Sequence, residues 1–123
     1  MNSEREFTVE EANLLLESLA ETINEIRKAR QVVLSGAERM KRSAGTDGGP
    51  AHGQDYWDAL ATLRREVEGL AEEGIILRDP QAGVVDFPSR REGRKVLLCW
   101  KVGESRVGYW HPPESGFAGR RPL

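Results

Sequence analysis

Residues 8–42 read TVEEANLLLESLAETINEIRKARQVVLSGAERMKR, and the spacing of their apolar side chains decides the fold. Ala12, Leu19, Ile26, Val33 and Met40 recur at seven-residue intervals; Leu16, Ile23 and Ala37 form a second row, broken by Arg30. Such rows lie along one stripe of a helix and predict lengthwise packing against another helix, as in a coiled coil. At 1.5 Å per residue the helix runs about 50 Å. A compact domain of this length is roughly 35 Å across, so the helix is expected to project beyond it. Thr8 is a natural N-cap with Glu11 completing a capping box, and Phe7 is placed to close over Ala12 as a hydrophobic staple.

Two apolar triplets, Leu14-Leu15-Leu16 and Val32-Val33-Leu34, exceed a single seam. Three consecutive residues cover about 200° of helix circumference, more than one partner helix buries. The first triplet is expected to face both a second helix and a sheet. The second lies on the projecting half, where a second copy of the chain is the simplest cover. A homodimer through Ile26, Val32, Val33, Leu34 and Met40 is therefore expected. Acids crowd the first half of the helix and bases the second, which complements the helix dipole near each terminus. Pairs such as Glu25 with Lys28 and Glu38 with Arg42 read as a solvated face.

Residues 43–54 are a loop by their Gly, Ser and Thr content, with His52 an exposed loop histidine. A second helix is expected over 55–73, with Asp55 as N-cap and Tyr56, Leu60, Leu63, Val67 and Leu70 on its buried stripe. Gly69 offers a close helix approach, and Gly74 a left-handed stop that folds Ile75 back onto Leu70. From Ile75 the period changes to two. Strands are expected over 75–78, over 84–87 (ended by Pro88), over 95–102 and over 106–111 (ended by Pro112-Pro113). Residues 112–123 show no period, with Phe117 and Leu123 as surface anchors. The expected fold class is α+β: a single domain in which a long antiparallel helical hairpin packs with a three- or four-stranded antiparallel β-meander.

The formal charge of -2 and pI near 5.8 argue against bulk attraction to nucleic acid or an anionic membrane. A lone cysteine, Cys99, excludes an internal disulfide framework and suits a reducing cytosol. No run approaches the ~18 apolar residues of a membrane span, and the N-terminus lacks the blocks of a signal peptide. A cytoplasmic protein is the expectation.

Phe7-Thr8 with Glu10-Glu11-Ala12, Val85-Asp86-Phe87-Pro88, Leu98-Cys99-Trp100 with Gly103-Glu104, Tyr109-Trp110-His111 and Gly116-Phe117-Ala118-Gly119-Arg120-Arg121-Pro122-Leu123 resemble an uncharacterised bacterial family, the domain of unknown function family 2203. The resemblance covers nearly the whole chain apart from the Gly-rich loop. It implies a small cytosolic bacterial protein without an assigned activity, and it carries over no catalytic residues.

Chemically versatile side chains gather in the strand-forming half. Alternation puts Cys99 on the face opposite Trp100, and His111 with Tyr109. Asp86, Cys99, Glu104, Tyr109 and His111 are thus the candidates for a small-ligand or metal site, with zinc the ion that best suits thiolate and imidazole. The register of the strands decides which of them meet. No paired Cys-x-x-Cys or His-x-x-x-His spacing supports a metal. A Cys99–His111 thiol enzyme is disfavoured because the cysteine sits in an apolar strand with no turn offering an oxyanion hole. Arg90, Arg91, Arg94, Arg120 and Arg121, with Lys95 and nearby aromatics, are candidate contacts for an anion or single-stranded nucleic acid. Phosphate-loop and dinucleotide fingerprints are absent. The leading functional expectation is a non-enzymatic homodimeric interaction or scaffolding domain, with the ligand or metal site as its rival.

Overall fold

The computed structural model describes residues 5–42 and 53–123; the loop expected over 43–52, His52 included, lies outside them. Thr8 caps the first helix through both halves of the capping box, its hydroxyl accepting from Glu11 N–H and the Glu11 carboxylate from Thr8 N–H. The helix is not continuous. It runs as α1 (Val9–Leu14), turns at Leu15 and resumes as α2 (Leu16–Arg42). The second helix, α3 (Gln54–Glu73), is capped two residues earlier than expected, at Gly53 rather than Asp55. Its end is a Schellman stop: Gly74 has φ 84°, Gly74 N–H donates to Ala71 C=O and Ile75 N–H to Leu70 C=O. Among the described residues no helix is long and apolar enough to cross a membrane.

The remaining chain forms five antiparallel strands in sequential order rather than three or four: β1 (Ile76–Asp79), β2 (Val84–Arg91), β3 (Arg94–Lys101), β4 (Tyr109–His111) and β5 (Arg121–Pro122). β2 runs through Pro88 instead of stopping there. Pro88 C=O accepts Phe7 N–H at 2.7 Å on the outer edge of the strand. The missing proline N–H faces that same edge, so no bond to β3 is lost. Glu92 and Gly93, both at positive φ (53° and 77°), close a two-residue hairpin between β2 and β3. The expected strand over 106–111 is shortened to β4, because Val107 N–H is taken by the Asn13 side chain at 2.8 Å. The tail acquires order as a 3₁₀ turn at Phe117–Gly119 followed by β5.

The core joins Ala12, Leu16, Leu19, Ile23 and Ile26 of the helical row to Val85, Phe87, Leu98 and Trp100 of one sheet face, with Leu70 and Ile75 from the end of α3. Phe7 meets Phe87 edge-on at 5.2 Å. Arg30 interrupts the apolar row because it reaches Gln81 Oε1 at 2.8 Å, in the β1–β2 turn, where Arg27 also donates to the Gln81 carbonyl. Three expectations about the helices are corrected. Ile26 is fully buried by its own chain and is not available to a partner. Leu14 is 84% exposed, so only Leu15 and Leu16 of the first triplet face inward. The close approach of α2 and α3 is made at Gly36, not Gly69: a Cβ on Gly36 would stand 2.5 Å from the Tyr56 ring, whereas nothing lies within 4 Å of one on Gly69.

These two glycines give opposite outcomes on substitution. Gly69→Ala is expected to stabilise the fold by about 1 kcal/mol, the ordinary helix-interior difference. Gly36→Ala is expected to destabilise it by about 1–3 kcal/mol through overpacking against Tyr56. Urea unfolding of the two variants beside the parent checks both signs.

Candidate metal centre

β2, β3 and β4 alternate their side chains between two faces, and their register decides which polar groups meet. Asp86 stands opposite Cys99, Cys99 opposite Tyr109, and Leu97 opposite His111. Directly opposed residues share a face, so Asp86, Cys99 and His111 all point away from the helices. Arg78, two residues along β1 from Ile76, which pairs with Asp86, joins them by the same alternation. One donor atom each from Asp86, Cys99 and His111 lies within 4.8 Å of the others, and all three residues are buried. Phe117 and Arg120 lie over this face. Phe117 sits under the Lys101 ammonium, and the Arg120 guanidinium stacks on Tyr109 and Phe117 at 4.0 and 4.1 Å.

The hydrogen bonds within the cluster leave two unsettled positions. His111 Nδ1 is 2.8 Å from the Pro112 carbonyl, which only accepts, so Nδ1 carries a proton. A neutral ring then turns the Nε2 lone pair toward Asp86 Oδ2, 3.1 Å away. Two acceptors at that distance repel unless a proton or a cation stands between them. Oδ2 also receives Arg78 Nε at 2.7 Å, from a side chain whose far end is solvated. Asp86 Oδ1 is buried with no hydrogen-bond partner among the described residues, a costly state for a carboxylate oxygen. Burial pushes the Cys99 thiol up to about 12; the Asp86 carboxylate adds to the rise and the Arg120 guanidinium opposes it. A thiol so protected is not a nucleophile at neutral pH.

The remaining candidate residues separate into other groups. The Glu104 carboxylate accepts from Arg120 at 2.9–3.0 Å and from Lys101 N–H at 2.9 Å, and is engaged there. Tyr109 lies under Arg120 on the same face, its ring occupied by the guanidinium. Arg90 pairs with Glu6 at 3.0 Å. Arg91, Arg94 and Arg121 gather around Trp110 with Lys95, at one end of the sheet. Two contributors were not anticipated from the sequence, Arg78 and the Pro112 carbonyl. The only available signal for Arg78 was its alternation with Ile76, usable once β1 is known to pair with β2.

The chain belongs to the family described as Uncharacterized conserved protein (DUF2203), whose sequence profile matches residues 5–123. No curated protein and no solved structure matches it.

With its proton held to about 12, Cys99 at pH 8 is thiolate on the order of 10⁻⁴ of the time. Native protein free of added metal is expected to resist iodoacetamide at that pH and to be fully alkylated after denaturation. Intact-mass spectrometry reads the difference; fast alkylation of the folded chain would contradict the burial.

Proposed function

For this family member we propose a metal-binding role: Asp86, Cys99 and His111 hold a divalent transition ion of the zinc type between β2, β3 and β4. The observation that supports it is the buried, unpartnered Asp86 Oδ1 beside a thiol and an imidazole nitrogen, one donor atom of each residue lying within 4.8 Å of the others. Atoms bound to a common tetrahedral zinc stand roughly 3–4 Å apart, a small adjustment from this arrangement. The donor set of nitrogen, sulfur and oxygen suits zinc better than magnesium or calcium. The His111 Nδ1–H bond to Pro112 is the outer contact that fixes a ligating imidazole with Nε2 free for metal. On metal binding the thiolate and the carboxylate offset the dication and Glu104 offsets Arg120, which leaves the charge of Arg78, whose side chain is about half exposed to solvent.

All three side chains are shielded from solvent, with at most 1% exposed. With one ligand from each of β2, β3 and β4, the ion would cross-link three strands. Its effect on stability follows mass action, about 4 kcal/mol at a thousandfold excess of free metal over Kd. Cobalt(II) titration is the test. About one equivalent is expected to bind, with a thiolate-to-cobalt charge-transfer band that disappears in Cys99→Ser and weakens in His111→Ala, and with a rise in Tm. Glu104→Gln is expected to bind as the parent does. No band and no bound metal on dialysis would remove the proposal.

A second reading, a homodimeric interaction domain, is supported by a different observation. Val32 and Leu34 remain 37% and 49% exposed, and Met40 43%, on the half of α2 furthest from the sheet, with Val33 half-buried beside them. Sedimentation equilibrium at micromolar concentration is expected to give twice the chain mass, and Leu34→Glu to return it to one chain. A monomeric parent would end this reading without touching the metal proposal.

A further inference from the structure

A basic cluster stands at the hairpin end of the sheet. Arg91 and Arg94 are opposed in the last pair of β2 and β3, and Trp110 is opposed to Leu98 on one side and to Arg121 on the other. These register positions put them on the sheet face opposite the Asp86–Cys99–His111 cluster. Together with Lys95 they line an open cleft of about 880 Å³. The guanidinium carbons of Arg91 and Arg121 lie over the Trp110 ring, 5.0 and 5.1 Å from its centroid. A guanidinium laid on an aromatic face is restrained, and its N–H fork is left to point elsewhere.

The charges of this cleft are not neutralised internally. Glu92 and Glu114 also line it, yet among the described residues no carboxylate stands within 4.0 Å of Arg91, Arg94, Lys95 or Arg121. Arg90 and Arg120 differ, being closed by Glu6 and Glu104. Four cations against two carboxylates leave an excess of two positive charges, which matches one phosphate dianion. The Pro112–Pro113 wall adds apolar surface for an attached organic group. Nucleobase stacking is a poorer match, since the Trp110 face is already occupied by guanidinium and the chain as a whole is acidic.

We propose that the cleft beside Trp110 binds the dianionic phosphate of a small organic phosphate ester, held by Arg91, Arg94 and Arg121. Arg94 and Lys95 supply charge, Arg91 and Arg121 supply planar forks suited to two phosphate oxygens, and Trp110 sets their orientation. The site is independent of the metal, and a chain without metal is expected to retain it.

Phenyl phosphate titrated into ¹⁵N-labelled protein at pH 7.5 is the probe. The Trp110 indole N–H resonance, identified with Trp110→Phe, is expected to shift saturably along with backbone signals of 91–95 and 121. The double variant Arg91→Gln/Arg94→Gln is expected to weaken binding at least about tenfold while its spectrum elsewhere stays that of the parent. Inorganic phosphate is expected to bind more weakly, lacking the group that meets the Pro112–Pro113 wall. No saturable shift up to 10 mM overturns the proposal, as does undiminished binding by the double variant or equal binding of inorganic phosphate. A ten-residue oligothymidylate that shifts the same signals at lower concentration overturns it in favour of a nucleic-acid surface.

Discussion

A fully buried carboxylate is the constraint that the sheet answers to. Asp86 sits in the middle of β2 with neighbours on both sides, where an isolated charge costs several kcal/mol of lost hydration. Arg78 from β1 and His111 from β4 both address one of its oxygens, so strands on either side supply its compensation. Slipping any of these strands by one residue would turn the partner to the other face and leave the charge alone. Register here is therefore held by electrostatics on one face and by Val85, Phe87, Leu98 and Trp100 packing on the other.

The two sheet faces divide the labour of the chain. One is closed by the helical row and continues past the start of α1 into the arginine-lined cleft around Trp110. The other carries no α-helix among the described residues and is covered by Phe117 and Arg120, with Arg120 bridging Tyr109, Phe117 and Glu104. The 117–120 segment is thus a cover: remove Arg120 and the Glu104 carboxylate loses its ion pair and the Tyr109 ring its guanidinium. This explains how three polar groups are hidden on a face that the sequence pattern alone leaves facing water.

Much of the architecture was legible in the residues. The capping box at Thr8, the Gly74 stop and the change of period at Ile75 each rest on local chemistry, and each is where that chemistry requires. Face counting also placed Cys99 opposite Trp100 and beside His111's strand, so the cluster could be named before its geometry was known. What escaped has a common cause, because it depended on contacts distant in the chain. Pro88 ends a strand by its own nature but is accommodated once Phe7 takes the outer edge. Leu14 looks like core by its type but stands about 200° around the helix from the buried Ala12 and Leu16, and so faces solvent. β5 has only two residues and no period to reveal it. Ile26 belonged to a row that read as a seam between chains, and the sheet's Val85 and Phe87 share its core instead.

The bond from Phe7 to Pro88 has a consequence for how copies of this chain can meet. An open sheet invites a foreign strand wherever a row of N–H and C=O groups is unpaired. Here β1 is short and irregular, with a shift of register before Asp79. Beyond it the border of β2 is occupied by Phe7, whose carbonyl is in turn held by the Ser89 hydroxyl. The opposite border is two residues long and contains Pro122. Among the described residues both outer borders of the sheet are short, irregular or occupied, which disfavours pairing with a foreign strand there.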